Sequence, residues 1–177
     1  MGDSTLPTEL GLLTDLRELS IPSSFMDGSL ITELGLMKEL RKISMHSGGF
    51  EGEIPSELFT LTNLRYLDLE GQNLEMDTGL PSEFGLLTDL EVLSLGSMAF
   101  AGTIPMPILT QLTNLKRLDV YYVDLNGAFP TEVGLLTALT YLDLSSNDLT
   151  GTFLFCSICS REAQSTDTHQ LTNFVFM

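Results

Sequence analysis

The motif L-x-x-L-x-L recurs six times in this chain at almost one period. Its first leucine falls at Leu16, Leu40, Leu64, Leu90, Leu115 and Leu139, at spacings of 24, 24, 26, 25 and 24 residues. The segments read LRELSI, LRKISM, LRYLDL, LEVLSL, LKRLDV and LTYLDL. Before them stand LPTELGLL, LITELGLM, IPSELFTL, LPSEFGLL, IPMPILTQL and FPTEVGLL. A fixed period of this length means one supersecondary unit written again and again, whose apolar face is buried only by its neighbours. In the sixth unit, alternation sends Leu142 and Leu144 to one side and Tyr141, Asp143 and Ser145 to the other, as in a strand. The other apolar residues, Phe129, Val133, Leu136, Leu139 and Leu149, fit neither a long helix nor a second long strand. They read as the inward corners of a single coil. Stacked coils then place six parallel strands side by side, with Leu19, Ile43, Leu67, Leu93, Leu118 and Leu142 beneath them.

The clearest unit, Phe129 to Thr152, reads L-x-x-L-x-L-x-x-N-x-L-x-G after a return segment close to I-P-x-x-L-G-x-L. This resembles the plant-type leucine-rich repeat arrays of receptor-like kinase ectodomains, receptor-like proteins and secreted polygalacturonase-inhibitor-type proteins. The resemblance runs from Leu6 to Thr152. It implies an α/β fold, a right-handed β-α superhelix (solenoid) with a concave parallel sheet of six or seven strands. Residues 1–152 are expected to form an array of six repeats. Residues 153–177 read as a degenerate or truncated seventh repeat or C-terminal tail, because Phe174 falls 35 residues after Leu139.

Two departures from the pattern stand out. The ninth motif position, where the family has asparagine, holds Ser24, Gly48, Gln72, Met98, Val123 and Asn147. Serine and glutamine replace asparagine only in part, and Gly48, Met98 and Val123 not at all, so the middle of the array is expected to be less regular. Terminal coils of a solenoid need a polar cover, and the few residues before Leu6 are too short to supply one. Further repeats are therefore expected to pack on the open ends, and the first coil to fray.

Charge narrows the partners. The net charge of −16 argues against nucleic acid or an anionic membrane. No apolar run is long enough to span a bilayer, MGDSTLPTEL does not read as a signal peptide, and no N-x-[ST] sequon occurs. The family resemblance implies an extracellular or cell-surface setting; the residues themselves leave the compartment open.

Motifs for chemistry are sparse. Cys156 and Cys159 form a lone C-x-x-C with neither a thioredoxin-like context nor a second ligand pair, and read as cap cysteines. No serine or cysteine nucleophile is placed by a motif around His46 or His169. Glu9, Glu33, Glu57, Glu83 and Glu132 recur once per return segment, where an acid suits the first turn of a short helix. As single carboxylates one coil apart they make no calcium cage. No catalytic, cofactor or metal site is expected, and no enzyme.

The expected concave face is richer. With the first leucine as position one, positions two, three, five, seven and eight carry Arg17, Arg41, Lys42, Arg65, Lys116 and Arg117 together with Glu18, Asp68, Glu70, Glu91, Asp119 and Asp143. That face is mixed and neutral, and the acidic excess lies on the back, edges and ends. All four tyrosines map to the face: Tyr66, Tyr121, Tyr122 and Tyr141. Beside Arg117, Asp119 and Asp143 they have the composition of an interface hot spot. Gly96 and Ser145 flank Tyr121 in its column, which predicts a ring free to project. The expected function is a binding module recognising a protein or peptide on the concave face, within a receptor-like or signalling protein. The alternatives are a secreted inhibitor of a carbohydrate-degrading enzyme and a structural fragment of a longer array.

Overall fold

A computed structural model describes residues 5–21, 26–76, 79–98 and 100–150, and the strand Val175–Phe176. Expectations resting on Ser24, on Cys156, Cys159 and His169, and on the tail before Val175 lie outside these residues. Each motif becomes a three-residue strand: Glu18–Ser20, Lys42–Ser44, Tyr66–Asp68, Val92–Ser94, Arg117–Asp119 and Tyr141–Asp143. They pair in parallel and in chain order, with Leu19, Ile43, Leu67, Leu93, Leu118 and Leu142 in one register row. All six of these side chains are buried. The strand expected near Phe174 joins this sheet as Val175–Phe176, but antiparallel to Tyr141–Asp143. Among the described residues the parallel strands of this sheet therefore number six, one of the two counts expected.

The return segments turn inward as 3₁₀ helices at Thr8–Leu12, Thr32–Leu36, Ser56–Thr60, Ser82–Leu86 and Thr131–Leu135. Pro7, Pro55, Pro81 and Pro130 precede four of them, their rings fixing the entry φ. The recurring glutamate lies in each first turn. Coils approach closely here: a Cβ on Gly35 would lie 2.5 Å from the Cβ of Glu57 in the next coil. The extra residue of the fifth repeat winds into a six-residue α-helix, Met106–Gln111.

Outside the main sheet, segments that the sequence reads as corners form short lateral strands. Asp27–Ser29, Gly49–Glu53 and Asn73–Glu75 make one parallel sheet, and Asn126–Ala128 pairs with Asp148–Thr150 in another. Between them, among the described residues, single bridges join Met76 to Phe100 and Gly102 to Leu125. The break falls where Met98 and Val123 occupy the ninth position and bury apolar side chains.

Where that position is polar, the amide serves the coil before it. Asn147 Oδ1 accepts from the Val123 and Leu125 amides at 3.2 and 2.9 Å, and its Nδ2 donates to the Val120 carbonyl at 2.7 Å. Gln72 does the same work more fully than its chemistry suggested. Its Oε1 accepts from the Phe50 amide at 3.1 Å and its Nε2 donates to the Met45 carbonyl. The longer arm is accommodated because Gly48 lacks a Cβ; one added there would lie 3.0 Å from Gln72 Oε1. The first coil is the open one. Leu13 is 51% exposed, whereas Met37, Leu61, Leu87, Leu112 and Leu136 at the same position are fully buried.

Candidate binding face

Because the strands are in register, each motif position becomes a column across the sheet. Position five forms a floor: Ser20, Ser44, Asp68, Ser94, Asp119 and Asp143. Position three forms one wall: Glu18, Lys42, Tyr66, Val92, Arg117 and Tyr141. Position seven, with His46, Glu70, Gly96, Tyr121 and Ser145, lies on the other side of the floor. The face that sums to neutral is thus sorted by column. Acids hold the floor and Glu70, while Arg17, Arg41, Arg65 and Lys116 line the edge at position two, interrupted by Glu91.

The structure brings six of the seven expected site residues into the last two coils. The Arg117 guanidinium stacks on the Tyr141 ring, 3.7 Å from its centroid, and Arg117 Nε donates to Asp119 Oδ2 at 2.6 Å. Asp143 Oδ1 accepts from the Ser145 amide at 3.0 Å. Asp119 and Asp143 are both buried. Burial holds the Asp119 carboxyl above its ordinary range against the pull of Arg117, with Asp143 and Glu70 adding to the rise.

Tyr66 stands apart, separated from Arg117 by Val92 in the same column. Lys42 Nζ sits 5.0 Å from its ring centroid, and its hydroxyl donates to Asp68 Oδ2 at 3.4 Å. Its pKa is raised by burial and by Asp68.

Tyr121 does not project. Its ring lies flat across the space over Gly96, where any Cβ would collide with it, and its hydroxyl donates to Glu70 two coils away. The small neighbour makes room for the ring to lie down, and the glutamate anchors it there. Burial and Glu70 together raise its pKa. Tyr122 is the residue that projects. It is 67% exposed and sits at φ 52°, in the left-handed region. Position eight is left-handed in other coils too, at Ser47, Gly71, Ser97 and Ser146, but there the residues are small.

Several participants were on the expected face without being singled out. His46 Nδ1 lies 3.2 Å from Asp68 Oδ2, and Ser44 Oγ lies 3.4 Å from both atoms. Serine and aspartate therefore meet the same ring nitrogen, so the imidazole cannot relay a proton from one to the other as in a catalytic triad. Glu70 collects Ser94 and Tyr121. At the basic edge, Glu91 binds Lys116 at 2.6 Å and Arg65 at 3.6 Å, beside a cleft of about 230 Å³ also lined by Asp89 and Asn114. The Lys116 hydrogen bond holds the Glu91 carboxyl below its ordinary range. Among the described residues, no helix is long and apolar enough to cross a membrane.

The family model for the leucine-rich repeat matches residues 138–160. No curated protein sequence matches the chain. Among solved structures, the TDR receptor is 36% identical with a TM-score of 0.78, over 84% of this chain and 25% of its own. PEPR1, in its structure with AtPEP1, is 32% identical with a TM-score of 0.76, over 82% of this chain and 20% of its own. The Arabidopsis receptor kinase HAESA, in complex with the peptide hormone IDA and the co-receptor SERK1, is 33% identical with a TM-score of 0.71, over 80% of this chain and 24% of its own. The chain spans a quarter or less of the length of these structures. With its six coils in one register and its sheet on the concave side, the chain belongs to the leucine-rich repeat proteins, in their plant-type form.

Proposed function

We propose that this chain is a recognition module without catalytic activity, which binds a protein or an extended peptide on its concave face as part of a receptor-like or signalling protein. Residues 1–152 act as the recognition array and residues 153–177 as a degenerate or truncated seventh repeat or C-terminal tail. The observation that carries this reading is Tyr122. A bulky side chain at positive φ is disfavoured by roughly 1–2 kcal/mol, and here the ring so held faces solvent. Strain at an exposed aromatic points to a role outside the fold. In the same two coils lie Tyr121, Tyr141, Arg117, Asp119 and Asp143, with Tyr66 further along the face, a composition suited to an interface centre. The solved structures with PEPR1 and HAESA contain AtPEP1 and the peptide hormone IDA.

Pull-down with the intact array supplies the ligand for the test. Tyr122→Ala is expected to weaken binding by about 2 kcal/mol or more, and Glu57→Ala, on the return side, to leave it unchanged. Equal losses from both, or loss from Glu57→Ala alone, would move the site off the concave face.

A further inference from the structure

Asp119 is the oddest residue on the face. Only 3% of it is exposed, and its Oδ1 has no hydrogen-bond partner among the described residues. The aspartates at the same position behave otherwise. Asp68 Oδ1 accepts from the Glu70 amide at 3.2 Å, and Asp143 Oδ1 from the Ser145 amide at 3.0 Å. Only Oδ2 of Asp119 is engaged, by Arg117 Nε.

Arg117 can do no more from its place. It stands two residues earlier on the same strand and reaches the carboxylate through Nε, its guanidinium carbon held over the Tyr141 ring. With Arg117 withdrawn, a ligand guanidinium meeting both oxygens end-on brings two parallel N–H donors, the stronger geometry. The surroundings favour a cation: Asp143 is the next floor residue, Glu70 adds negative charge, and Tyr141 offers an aromatic face. Arg117 already shows the chemistry that the site accepts.

We propose that the floor at Asp119 and Asp143 is a subsite for an arginine side chain of an extended peptide ligand, and that Arg117 is its resident stand-in, exchanged when the ligand binds. This rests on the reading of the concave face as a peptide-binding surface. It makes Asp119 the residue that selects arginine, and Arg117 a competitor whose departure leaves the carboxylate free for a bidentate pair.

The chain has four tyrosines and no tryptophan, and all four tyrosines lie on this face, so tyrosine emission of the intact chain reports on the face that carries the site. The probes are acetylated, amidated Gly-Gly-Arg-Gly-Gly and the same peptide with citrulline, which has the shape of arginine without its charge. The arginine peptide is expected to change the emission saturably, with a Kd about tenfold or more below that of the citrulline peptide. Arg117→Gln, which removes the competitor, should tighten the arginine peptide about tenfold and leave the citrulline peptide unmoved. Asp119→Asn should erase the difference between the peptides while the circular dichroism spectrum stays unchanged. If that variant does not fold, the Arg117→Gln result decides alone. Equal saturable binding of both peptides would overturn the arginine subsite and leave the peptide reading standing. No response to the arginine peptide, or looser binding in Arg117→Gln, would overturn it too; the pull-down comparison at Tyr122 and Glu57 tests the wider reading separately.

Discussion

Replacing Gln72 with leucine should cost more than any loss of volume explains. The Gln72 side chain is buried and serves two main-chain groups of the preceding coil, the Phe50 amide and the Met45 carbonyl. Leucine fills most of the space but offers neither donor nor acceptor. The two backbone groups cannot be removed with the side chain, so both stay buried without a partner. An orphaned buried group costs about 1–3 kcal/mol, which puts the expected loss at about 2–6 kcal/mol. Urea unfolding followed by circular dichroism measures it, and an unchanged slope against denaturant confirms that the loss is in native stability. Gln72→Asn adds a second check. Asparagine is the usual residue here, but opposite Gly48 its shorter arm leaves a gap of one methylene, so it should recover only part of the loss. A cost below about 1 kcal/mol for Gln72→Leu, or full recovery by asparagine, would refute the view that Gly48 and Gln72 act as a fitted pair.

Three further outcomes are expected from the same packing. At φ 52°, Tyr122→Gly should be more stable than Tyr122→Ala by about 1 kcal/mol; thermal melts giving the reverse order would show that the backbone there is unstrained. Leu118→Ala, between Leu93 and Leu142 in the core row, should cost about 2–5 kcal/mol. Leu13→Ala, half-exposed on the open first coil, should cost well under half as much in the same melts. Asp119 has a raised folded-state pKa, so its ionisation opposes folding at neutral pH. That cost is relieved as the pH falls through the folded pKa and is gone below the unfolded value of about 3.9. The stability of Asp119→Asn relative to the parent chain should therefore be more favourable at pH 7 than at pH 4; a pH-independent difference would argue against the raised pKa.

Period and alternation made the main sheet legible. Leucines at one spacing permit one stacking, and alternation then assigns every strand residue to a side, so the core row from Leu19 to Leu142 and the columns above it could be read directly. The lateral strands were not legible in the same way. Asn126–Ala128 has only small or polar residues and shows no alternation of its own; it is a strand because Asp148–Thr150 lies beside it. At the face, the columns gave the neighbours of each residue but not its rotamer. Gly96 beside Tyr121 signals space, and space serves a ring lying down as well as one standing up. What decides is Glu70, two coils and 51 residues away, whose carboxylate takes the hydroxyl. The role of Tyr122 depends on the sign of φ at position eight, which small residues in the other coils hint at and only the backbone reveals.

The two-residue period separates what holds the coils together from what meets a partner. Leu118 points into the core, while Arg117 and Asp119 on either side of it point to the concave face. Substitutions on the face should therefore leave stability nearly untouched, as they do on most exposed surfaces. Asp119 breaks that separation. It belongs to the face by register and to the interior by burial, and one of its oxygens finds no partner within the described protein. A fold selected for stability alone would have serine there, as at Ser20, Ser44 and Ser94. The same change that relieves the buried charge removes the carboxylate proposed to select arginine over a neutral side chain. Stability gained at Asp119 should thus be matched by loss of selectivity, the trade expected where a destabilising group serves a site.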